Sequence, residues 1–462
     1  MDKTAVFCYF SLIVHVRRKK TATVGFVSLG CPKNTVDSER MLAEIAQAGL
    51  VIAADPDRAD VVVINTCGFI APARAESLEA IQRAVHEKRR GRIGRVIVAG
   101  CLSEQMGEQL LREVDGVDAV VGLQHRDRIA RIIETTIGNS HPRVYASGRP
   151  QPGGALDDRT RLLIGPSHRA YLRVSEGCNR RCSFCTIPAI RGPFRSKPIR
   201  NVLREARQLA RAGVKELNLI GQDTTGYLKD VKAKHGLDHL LGALHRIDGL
   251  VWIRLMYLHP AGITEGLIER IASSDRIVHY LDIPIQHVND RILKAMRRPD
   301  RHEWLCRLME RLRAAMPDVV LRTTVIVGFP GETDQEFEQL LGFIRQTRFD
   351  ALGCFRFYPE PGTVAGSMQG QVPDPVKQER LDQVMLTQQA IAFAKQKARV
   401  GQELTCLVDS LEPDGTGRGR FYGQAPEIDS LCVVRDCKVK PGRFVRTRVI
   451  DTQDYDLIVR PL

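Results

Sequence analysis

The sequence lacks an apolar segment long enough to span a membrane. The apolar run near its start, Ala5 to Val16, covers about twelve residues, whereas a spanning helix needs roughly 20. The basic cluster Arg17 to Lys20 follows that run, but a secretory signal carries its charge in front. We therefore expect a cytoplasmic protein without membrane contact, and we interpret residues 1–20 as a disordered extension or a misassigned start. An interfacial anchor is the alternative for this segment.

The sequence also lacks the paired cysteines and histidines of a zinc finger. Its twelve cysteines without a secretory signal favour a reducing cytosol and metal ligation over a disulfide scaffold. Cys178, Cys182 and Cys185 form a C-x3-C-x2-C pattern, but no second pair or histidine follows at finger spacing. Three thiolates on a short loop favour a four-iron four-sulfur cluster whose fourth iron has no protein ligand. A structural zinc site and plain buried thiols are the alternatives.

Acidic residues are too few to balance the basic ones. The 68 Lys and Arg residues exceed the 54 Asp and Glu residues and give a formal net charge of +14. Such an excess favours an anionic partner, for which RNA and ribonucleoprotein are the usual candidates. The length of 462 residues predicts about three domains.

From Thr21 onward, short strands rich in β-branched residues alternate with amphipathic helices. The predicted strands are Val24–Leu29, Val61–Asn65, Arg95–Ala99 and Val117–Val121, and the predicted helices are Asp37–Ala48, Ala73–Lys88 and Ser103–Val114. This alternation predicts a parallel sheet with right-handed crossovers, and therefore a doubly wound α/β domain over residues 21–140.

One cysteine follows each of the first three predicted strands. Cys31, Cys67 and Cys101 each lie just past the carboxyl end of a strand and beside glycine. Because parallel strands place their carboxyl ends on one edge of the sheet, we expect the three thiols to converge there. A second cluster with three protein ligands is the favoured interpretation. Three small hydrophobic side chains at strand ends are the alternative.

After a polar linker over residues 141–168, a longer series of strands and helices begins. The six predicted strands are Ala170–Ser175, Glu216–Ile220, Trp252–Tyr257, Tyr280–Ile285, Val320–Val327 and Ala351–Tyr358. Helical patterns separate them, for example over Ile199–Ala212 and Asp334–Arg345. The series predicts a partial (βα)6 barrel over residues 169–397, with one polar motif at the carboxyl end of each strand.

Several polar residues at these strand ends are candidates for cofactor contacts. Gln286 is placed to hydrogen-bond a ribose or a carboxylate, and Asp223 is placed to accept a hydrogen bond from an ammonium group. Gly328 opens a Gly-Phe-Pro-Gly-Glu turn without the spacing of a phosphate-binding loop, so a purely structural turn is an equal alternative. His259 is as consistent with a packed histidine as with a ligand contact.

Two arginines follow the cysteine loop. Arg191 and Arg195 are placed to meet a substrate or cofactor carboxylate, and a surface role is the alternative. The remaining cysteines of the globular part show no ligand spacing and are expected to be core or surface thiols: Cys306, Cys354, Cys406, Cys432 and Cys437.

Residues 398–462 change to an alternating β pattern divided by Gly and Pro turns. The pattern predicts a small antiparallel β-barrel of the OB-like kind that often binds nucleic acid. From residue 401 onward this segment carries nine Lys or Arg against ten Asp or Glu residues. A module that grips RNA should carry the excess positive charge itself, so we expect contact with nucleic acid to be weak.

The cysteine loop, with Phe184 directly before its last cysteine, resembles the signature of the radical S-adenosylmethionine enzymes. From about Thr21 to Leu462 the chain resembles the methylthiotransferases, which join a three-cysteine domain, a radical S-adenosylmethionine core and a C-terminal TRAM barrel. Five motifs are similar to the branch that acts on a ribosomal protein rather than the branch that acts on tRNA: SLGCPKN (28–34), GQDTT (221–225), YLHP (257–260), IPIQH (283–287) and APEID (425–429). One small departure is Ser196-Lys197, where the family more often has Ser-Arg.

The resemblance implies an enzyme that adds a methylthio group to the β-carbon of an aspartate in the twelfth protein of the small ribosomal subunit. It implies S-adenosylmethionine as cofactor and two four-iron four-sulfur clusters, one held by Cys178, Cys182 and Cys185 and the other by Cys31, Cys67 and Cys101. Further cofactor contacts are expected from Phe184, Gln222, Asp223, Gln286 and Gly328.

Two kinds of partner follow from this chemistry, a reducing electron donor and a sulfur donor. Two other functions compete with this interpretation. The first is a tRNA adenosine methylthiotransferase, and the second is a non-enzymatic RNA-binding or iron–sulfur scaffold protein.

Overall fold

The computed structural model describes residues 21–139, 141–146, 157–233 and 236–462. The interpretation of residues 1–20 and part of the predicted linker therefore lie outside the described residues. Among the residues described, no helix is both long enough and apolar enough to cross a membrane.

The first domain is a six-stranded parallel sheet with helices on both faces. Its strands are β1 (Thr23–Ser28), β2 (Val51–Ile52), β3 (Ala59–Thr66), β4 (Ile93–Gly100), β5 (Ala119–Val121) and β6 (Arg143–Tyr145), in the order β2-β1-β3-β4-β5-β6. Its helices are α1 (Pro32–Gln47), α2 (Ala71–Arg89), α3 (Cys101–Met106), α4 (Glu108–Glu113) and α5 (Ile129–Ile137). Val62 packs with Ile81 of α2, while the next residue, Val63, packs with Met41 of α1. Because successive strand residues face opposite sides, this packing confirms the doubly wound arrangement.

Two edge strands of this sheet and one break in a helix are not among the elements that the sequence predicts. The strands β2 and β6 have only two and three residues, too few to give a period-two pattern. The single helix predicted over Ser103–Val114 is two helices, α3 and α4, because Gly107 interrupts it with φ of +52°. Glycine adopts this left-handed conformation without the steric cost of a side chain.

The second domain is an open parallel barrel of six strands. Those strands are β7 (Arg169–Arg173), β10 (Glu216–Ile220), β11 (Trp252–Leu255), β12 (Ile277–Asp282), β13 (Val320–Val327) and β14 (Ala351–Arg356), and their order follows the chain. Two short strands, β8 (Ser175–Glu176) and β9 (Arg195–Ser196), form an antiparallel pair beside the cysteine loop. The helices are α6 (Ile187–Arg191), α7 (Ile199–Arg211), α8 (Leu237–His245), α9 (Glu265–Ala272), α10 (Asp290–Ala295), α11 (His302–Ala315), α12 (Asp334–Thr347) and α13 (Asp374–Lys397). The predicted partial barrel is confirmed.

The C-terminal domain is a closed five-stranded barrel. Its strands are β15 (Glu403–Leu411), β16 (Gly417–Phe421), β17 (Cys432–Val434), β18 (Phe444–Gln453) and β19 (Asp456–Pro461), in the order β15-β16-β17-β19-β18. The predicted small barrel is confirmed, but β17 and β19 run parallel, so the pairing is not purely antiparallel. The strand β19 pairs antiparallel with β18 on one side and parallel with β17 on the other, and this second pairing closes the barrel.

The C-terminal barrel packs against the amino-terminal ends of the core strands. Arg420 on β16 contacts Glu216, the first residue of β10, at 2.7 Å between Nη2 and Oε2. Arg254 on β11 contacts the same carboxylate at 3.0 Å and donates to the backbone oxygen of Tyr422 at 2.6 Å. The side chains of Glu216 and Arg254 are fully buried, and together they hold the two domains face to face.

A buried ionic network joins the first domain to the core. Arg173 on β7 contacts Asp37 of α1 at 2.7 Å, Asp158 at 2.6 Å and Glu176 at 2.8 Å. Arg191 at the end of α6 contacts Asp37 and Glu176, each at 3.1 Å. We call these five residues the docking network. Because every charge in it is buried and paired with opposite charge, the network fixes the position of α1 relative to the cysteine loop.

Candidate active site

The three N-terminal cysteines converge at the carboxyl edge of their sheet, as the topology predicts. Cys31 caps the start of α1, Cys67 follows β3, and Cys101 begins α3 directly after β4. Gly30 adopts φ of +90° against Cys67, so close that a β-carbon on it would lie 2.9 Å from the Cβ of Cys67 and 3.3 Å from its Sγ. The thiols also influence one another electrostatically, since Cys31 raises the pKa of both other thiols.

The first thiol of this trio ionises more readily than the other two. Burial raises the pKa of Cys67, and it raises the pKa of Cys101 to about 12. For Cys31 burial acts in the same direction, but the charges of Lys33 and Arg191 and two backbone N–H groups outweigh it and lower its pKa. Iron ligation requires the thiolate form, so Cys31 is the most readily ionised of the three candidate ligands.

Gly30→Ala tests how tightly this trio is packed. The new methyl group would collide with Cys67 and strain the backbone, so the iron content is expected to fall towards that of a single cluster per chain. The matched control is Gly49→Ala, where φ is also positive at +77° but nothing lies within 4 Å. Iron and sulfide analysis after anaerobic reconstitution measures the effect. Equal iron content in the two variants would contradict the assignment of Cys67 as a ligand.

The second trio lies on a loop between β8 and α6 and lines an open cavity. Cys178, Cys182 and Cys185 border this cavity of about 730 Å³. The loop is closed at its base by a hydrogen bond from the backbone N–H of Cys178 to the oxygen of Gly192, at 3.1 Å. Burial raises the pKa of all three thiols, that of Cys178 to about 11 and that of Cys185 to about 12, so a nearby cation such as iron is needed to ionise them at neutral pH.

Neither trio forms a single-ion site. In the described parts of the chain, no group of three or more His, Cys, Asp or Glu side chains is arranged to hold one metal ion. A four-iron cluster is ligated by one thiolate per iron, so it accepts thiols that are farther apart. The soft donors of both trios fit such a cluster.

The predicted cofactor residues Gln222 and Asp223 follow β10 and lie beside the cysteine loop. Gln222 donates from Nε2 to Glu176 Oε1 at 3.1 Å, while its own carbonyl oxygen is buried without a hydrogen-bond partner. Asp223 contacts Arg180 at 2.9 Å and accepts a hydrogen bond from Thr225. An ammonium group that bound Asp223 would therefore share it with Arg180.

Gln286 has the strongest geometric support among the predicted cofactor contacts. Its φ is +69°, an unusual value for a residue with a side chain, and two backbone hydrogen bonds to β13 hold it there. Its side-chain oxygen is buried without a hydrogen-bond partner. Strain and an unpaired polar atom at one residue fit a ligand contact.

Gly328 and Phe184 have packing roles in the structure. A β-carbon on Gly328 would lie 2.3 Å from Cγ of Lys377 on α13. The close packing of this helix is therefore enough to explain a glycine at this position. Phe184 is half-buried and packs against a cluster that includes Phe329 and Phe357. Their proposed contacts with a cofactor stay predictions.

Arg191 is not available to a substrate carboxylate. Besides Asp37 and Glu176, its Nη2 group contacts Cys101 Sγ at 3.3 Å. The expectation that Arg191 meets substrate or cofactor is corrected accordingly, because its donors serve the docking network and the first trio. Arg195 lies in β9, beside the same loop.

Two further residues, His259 and Lys33, have more support in the structure than their sequence patterns indicate. Both ring nitrogens of His259 are buried without a hydrogen-bond partner, and burial together with Arg298 and Arg180 lowers its pKa to about 2, so the ring is neutral. Lys33 reaches from α1 into the core domain. Its place two residues after Cys31 was the one signal in the sequence that could have identified it.

The fold and the site define a radical S-adenosylmethionine enzyme. Residues 172–344 match the Radical SAM superfamily, residues 23–122 match "Uncharacterized protein family UPF0004", and residues 400–461 match the TRAM domain. A solved structure of the radical S-adenosylmethionine methyltransferase TsrM from Kitasatospora setae superposes with a TM-score of 0.52 at 15% identity, covering 75% of this chain and 77% of that one. At this identity the similarity shows the fold alone.

Curated relatives identify the family within this class. The chain is 44% identical over 436 residues to "Ribosomal protein uS12 methylthiotransferase RimO" of Anaeromyxobacter sp. (strain K), which covers 94% of this chain and 92% of the relative. It is 42% identical over 438 residues to the protein of the same name from Geobacter sulfurreducens, covering 94% and 97%. The chain belongs to the RimO family of methylthiotransferases. It is a sulfur-transferring enzyme whose cofactors are S-adenosylmethionine and 4Fe–4S clusters.

Proposed function

We propose that this enzyme attaches a methylthio group to the β-carbon of an aspartate in ribosomal protein uS12. The observation that carries the proposal is the junction between the two cysteine trios. Arg191 lies six residues after Cys185, and its guanidinium reaches Cys101 of the other trio at 3.3 Å. This contact supports a placement of radical formation and sulfur delivery at one edge, where methylthio transfer needs both.

The residues divide the chemistry between two sites. We assign Cys178, Cys182 and Cys185 to the cluster that binds S-adenosylmethionine, and Cys31, Cys67 and Cys101 to the auxiliary cluster. When bound, the cofactors supply hydrogen-atom abstraction from an unactivated C–H bond and a methylated sulfur, neither of which a side chain can provide. The protein positions the reactants and excludes stray hydrogen donors. The docking network makes this positioning rigid, because α1 and the cysteine loop cannot move apart without separating buried charges.

Three residues with unpaired buried polar atoms at the ends of core strands suit the orientation of S-adenosylmethionine. The side-chain oxygens of Gln222 and Gln286 accept hydrogen bonds, and they would gain partners from the ribose hydroxyls or the amino group of the cofactor. The neutral ring of His259 offers both a donor and an acceptor. All three residues lie on loops that follow neighbouring core strands.

The surface of the C-terminal barrel favours a protein substrate over tRNA. The segment carries nine basic against ten acidic residues from position 401 onward, and Arg446 and Arg448 on β18 both contact Glu403. Paired arginines on a nearly neutral domain contribute little to phosphate binding. We further propose that the reaction takes place in the cytoplasm and draws on a reducing electron donor and a separate sulfur donor.

A direct assay tests the proposal. Anaerobically reconstituted enzyme is incubated with S-adenosylmethionine, a chemical reductant, sulfide and uS12, and intact-protein mass spectrometry follows the substrate. The expected result is an added methylthio group on uS12 and none on a variant whose target aspartate is asparagine. A parallel reaction contains total tRNA. Modification of tRNA with no change in uS12 would replace the proposal with the tRNA alternative.

A further inference from the structure

Lys33 is a buried lysine of the first domain whose ammonium group lies at the carboxyl edge of the core. It is the second residue of α1, and its side chain is 7% exposed. Its Nζ lies 3.4 Å from the backbone oxygen of Gly221, directly after β10, and 3.3 Å above the ring centroid of Tyr257, beyond the end of β11. A positive charge from one domain is thus buried among the strand ends of another.

The charge of Lys33 is poorly compensated. In the described part of the chain, no carboxylate lies within ion-pair distance of Lys33, whereas the neighbouring buried cations Arg173, Arg191 and Lys197 each contact at least two. An ammonium group has three donors, and here they meet one long hydrogen bond and one aromatic face. Lys33 also lies in the first turn of α1, where the helix dipole adds positive potential. A buried cation in such surroundings favours an anionic ligand.

The nearest acids are already engaged elsewhere. Asp282 contacts Arg322 at 3.1 Å through one oxygen and accepts a hydrogen bond from the backbone N–H of Tyr257 at 3.0 Å through the other. Glu176 belongs to the docking network and contacts Arg173 and Arg191. The thiolate of Cys31 also interacts with Lys33, but it is a proposed ligand of the auxiliary cluster. A carboxylate that pairs with Lys33 must therefore come from outside the described residues.

The position of Lys33 matches the site of the proposed reaction. On one side, Cys31 of the first trio is two residues away along the chain. On the other side, Gly221 precedes Gln222, whose side chain bonds to Glu176, two residues before Cys178 of the second trio. The ammonium group therefore lies close in sequence to one trio and, through Gly221, Gln222 and Glu176, next to the segment that carries the other.

We propose that Lys33 binds the side-chain carboxylate of the substrate aspartate and thereby both selects aspartate and positions its β-carbon. The inference rests on the proposed function. The β-carbon is bonded directly to the carboxylate carbon, so an ion pair at the carboxylate fixes the reacting C–H bond next to its anchor. Arg191 cannot take this role, because its donors are shared among Asp37, Glu176 and Cys101.

Peptide binding tests the inference without catalysis. Fluorescent peptides that span the target site of uS12, with either aspartate or asparagine at the modified position, are titrated into reconstituted protein. The wild type is expected to prefer the aspartate peptide by roughly 10- to 100-fold, the range of a desolvated charge-assisted hydrogen bond. Lys33→Met is expected to bind both peptides alike, and Lys33→Arg to keep a preference. The control is Lys440→Met, which changes an exposed lysine of the C-terminal barrel. This variant is expected to show the same preference for the aspartate peptide as the wild type.

A second measurement reports positioning of the β-carbon. With a peptide deuterated at that carbon, transfer of deuterium into 5′-deoxyadenosine should fall in Lys33→Met by roughly the same factor as the binding preference. The transfer is expressed per 5′-deoxyadenosine formed, so that a change in the overall rate of cofactor cleavage does not affect it. Loss of peptide-independent cleavage in Lys33→Met would overturn the inference, because the ammonium group would then serve the cofactor carboxylate or the fold.

Cys31→Ala separates the role of Lys33 from that of the adjacent cluster. This variant removes an auxiliary ligand but keeps the ammonium group, so it is expected to retain the preference for aspartate. If Cys31→Ala and Lys33→Met lost the preference equally, the cluster and not Lys33 would recognise the carboxylate. A preference for aspartate that persists in Lys33→Met would also overturn the inference. Failure of the wild type to modify uS12 at all would instead refute the proposed function, on which this inference rests.

Discussion

Replacing Cys67 by alanine is expected to leave reductive cleavage of S-adenosylmethionine near the wild-type rate and to abolish methylthio transfer. Cys182→Ala is expected to abolish both. The reason is the separation of the two trios: Cys182 lines the cavity beside the core strands, whereas Cys67 lies at the edge of the first sheet, against Gly30. A cluster that loses one of three thiolates loses its attachment, while the other cluster keeps its full set of ligands.

Quantifying 5′-deoxyadenosine and the mass of uS12 in the same anaerobic reactions gives both readouts. Cys306→Ala is the control, since this half-exposed cysteine on α11 belongs to neither trio and should leave both activities unchanged. Full methylthio transfer by Cys67→Ala would contradict the proposed role of the first trio in the reaction.

Arg173→Met is expected to weaken the union of the first domain and the core by about 3–5 kcal/mol. Arg173 is completely buried and contacts Asp37, Asp158 and Glu176. Methionine fills most of the volume of the arginine side chain, but it removes a cationic partner from these buried carboxylates. A buried charge that loses its partner is strongly destabilising. Urea unfolding of the reconstituted protein measures the loss. The control is Arg89→Met, which removes a cation from a solvent-exposed pair with Asp115 and should change stability little.

The stability loss in Arg173→Met should also depend on pH. Although burial opposes it, the surrounding arginines hold the pKa of Asp37 and Asp158 below the usual range. In the wild type their contribution to stability is therefore complete above the unfolded pKa of about 4 and is lost only as the pH falls through the lower folded values. Without Arg173, the remaining partners of Asp37 (Arg126 and Arg191) and of Asp158 (Lys197 and Arg40) offset burial less, so both folded pKa values rise towards the usual range and part of this contribution is lost. The deficit should accordingly be constant above about pH 5 and become smaller as the pH falls below about 4. A deficit independent of pH would show that lost packing, and not unpaired charge, causes it.

Much of the fold could be read from the sequence because hydrophobic period and chain order determine it. The strands β10 and β13 begin and end at the predicted residues, Glu216–Ile220 and Val320–Val327. Aliphatic and β-branched residues predominate in both strands, and glycine follows each of them, at Gly221 and Gly328, which is the pattern of a strand that ends in a turn. The convergence of Cys31, Cys67 and Cys101 followed from the same logic, since topology alone brings the ends of parallel strands together.

What the sequence could not supply are contacts between domains. Arg191 looked like a candidate for substrate binding because it follows the cysteine loop, yet its partners include Asp37 and Cys101, which lie far away in the sequence. The only signal for Lys33 was its place two residues after Cys31, and that signal is weak because an isolated lysine after a cysteine usually points into solvent. Pairings of this kind depend on how two separately folded surfaces meet, and no periodicity within either segment encodes that.

The contact between the C-terminal barrel and the core has a consequence for the fate of a carbon-centred radical. Glu216 and Arg254, with Arg420 from the barrel, close the floor of the open (βα)6 ring with tightly paired side chains. Thiols, small reductants and water that diffuse from that side meet these buried, paired side chains. The barrel can therefore protect a short-lived, indiscriminate oxidant from premature quenching while contributing no atom to the reaction itself.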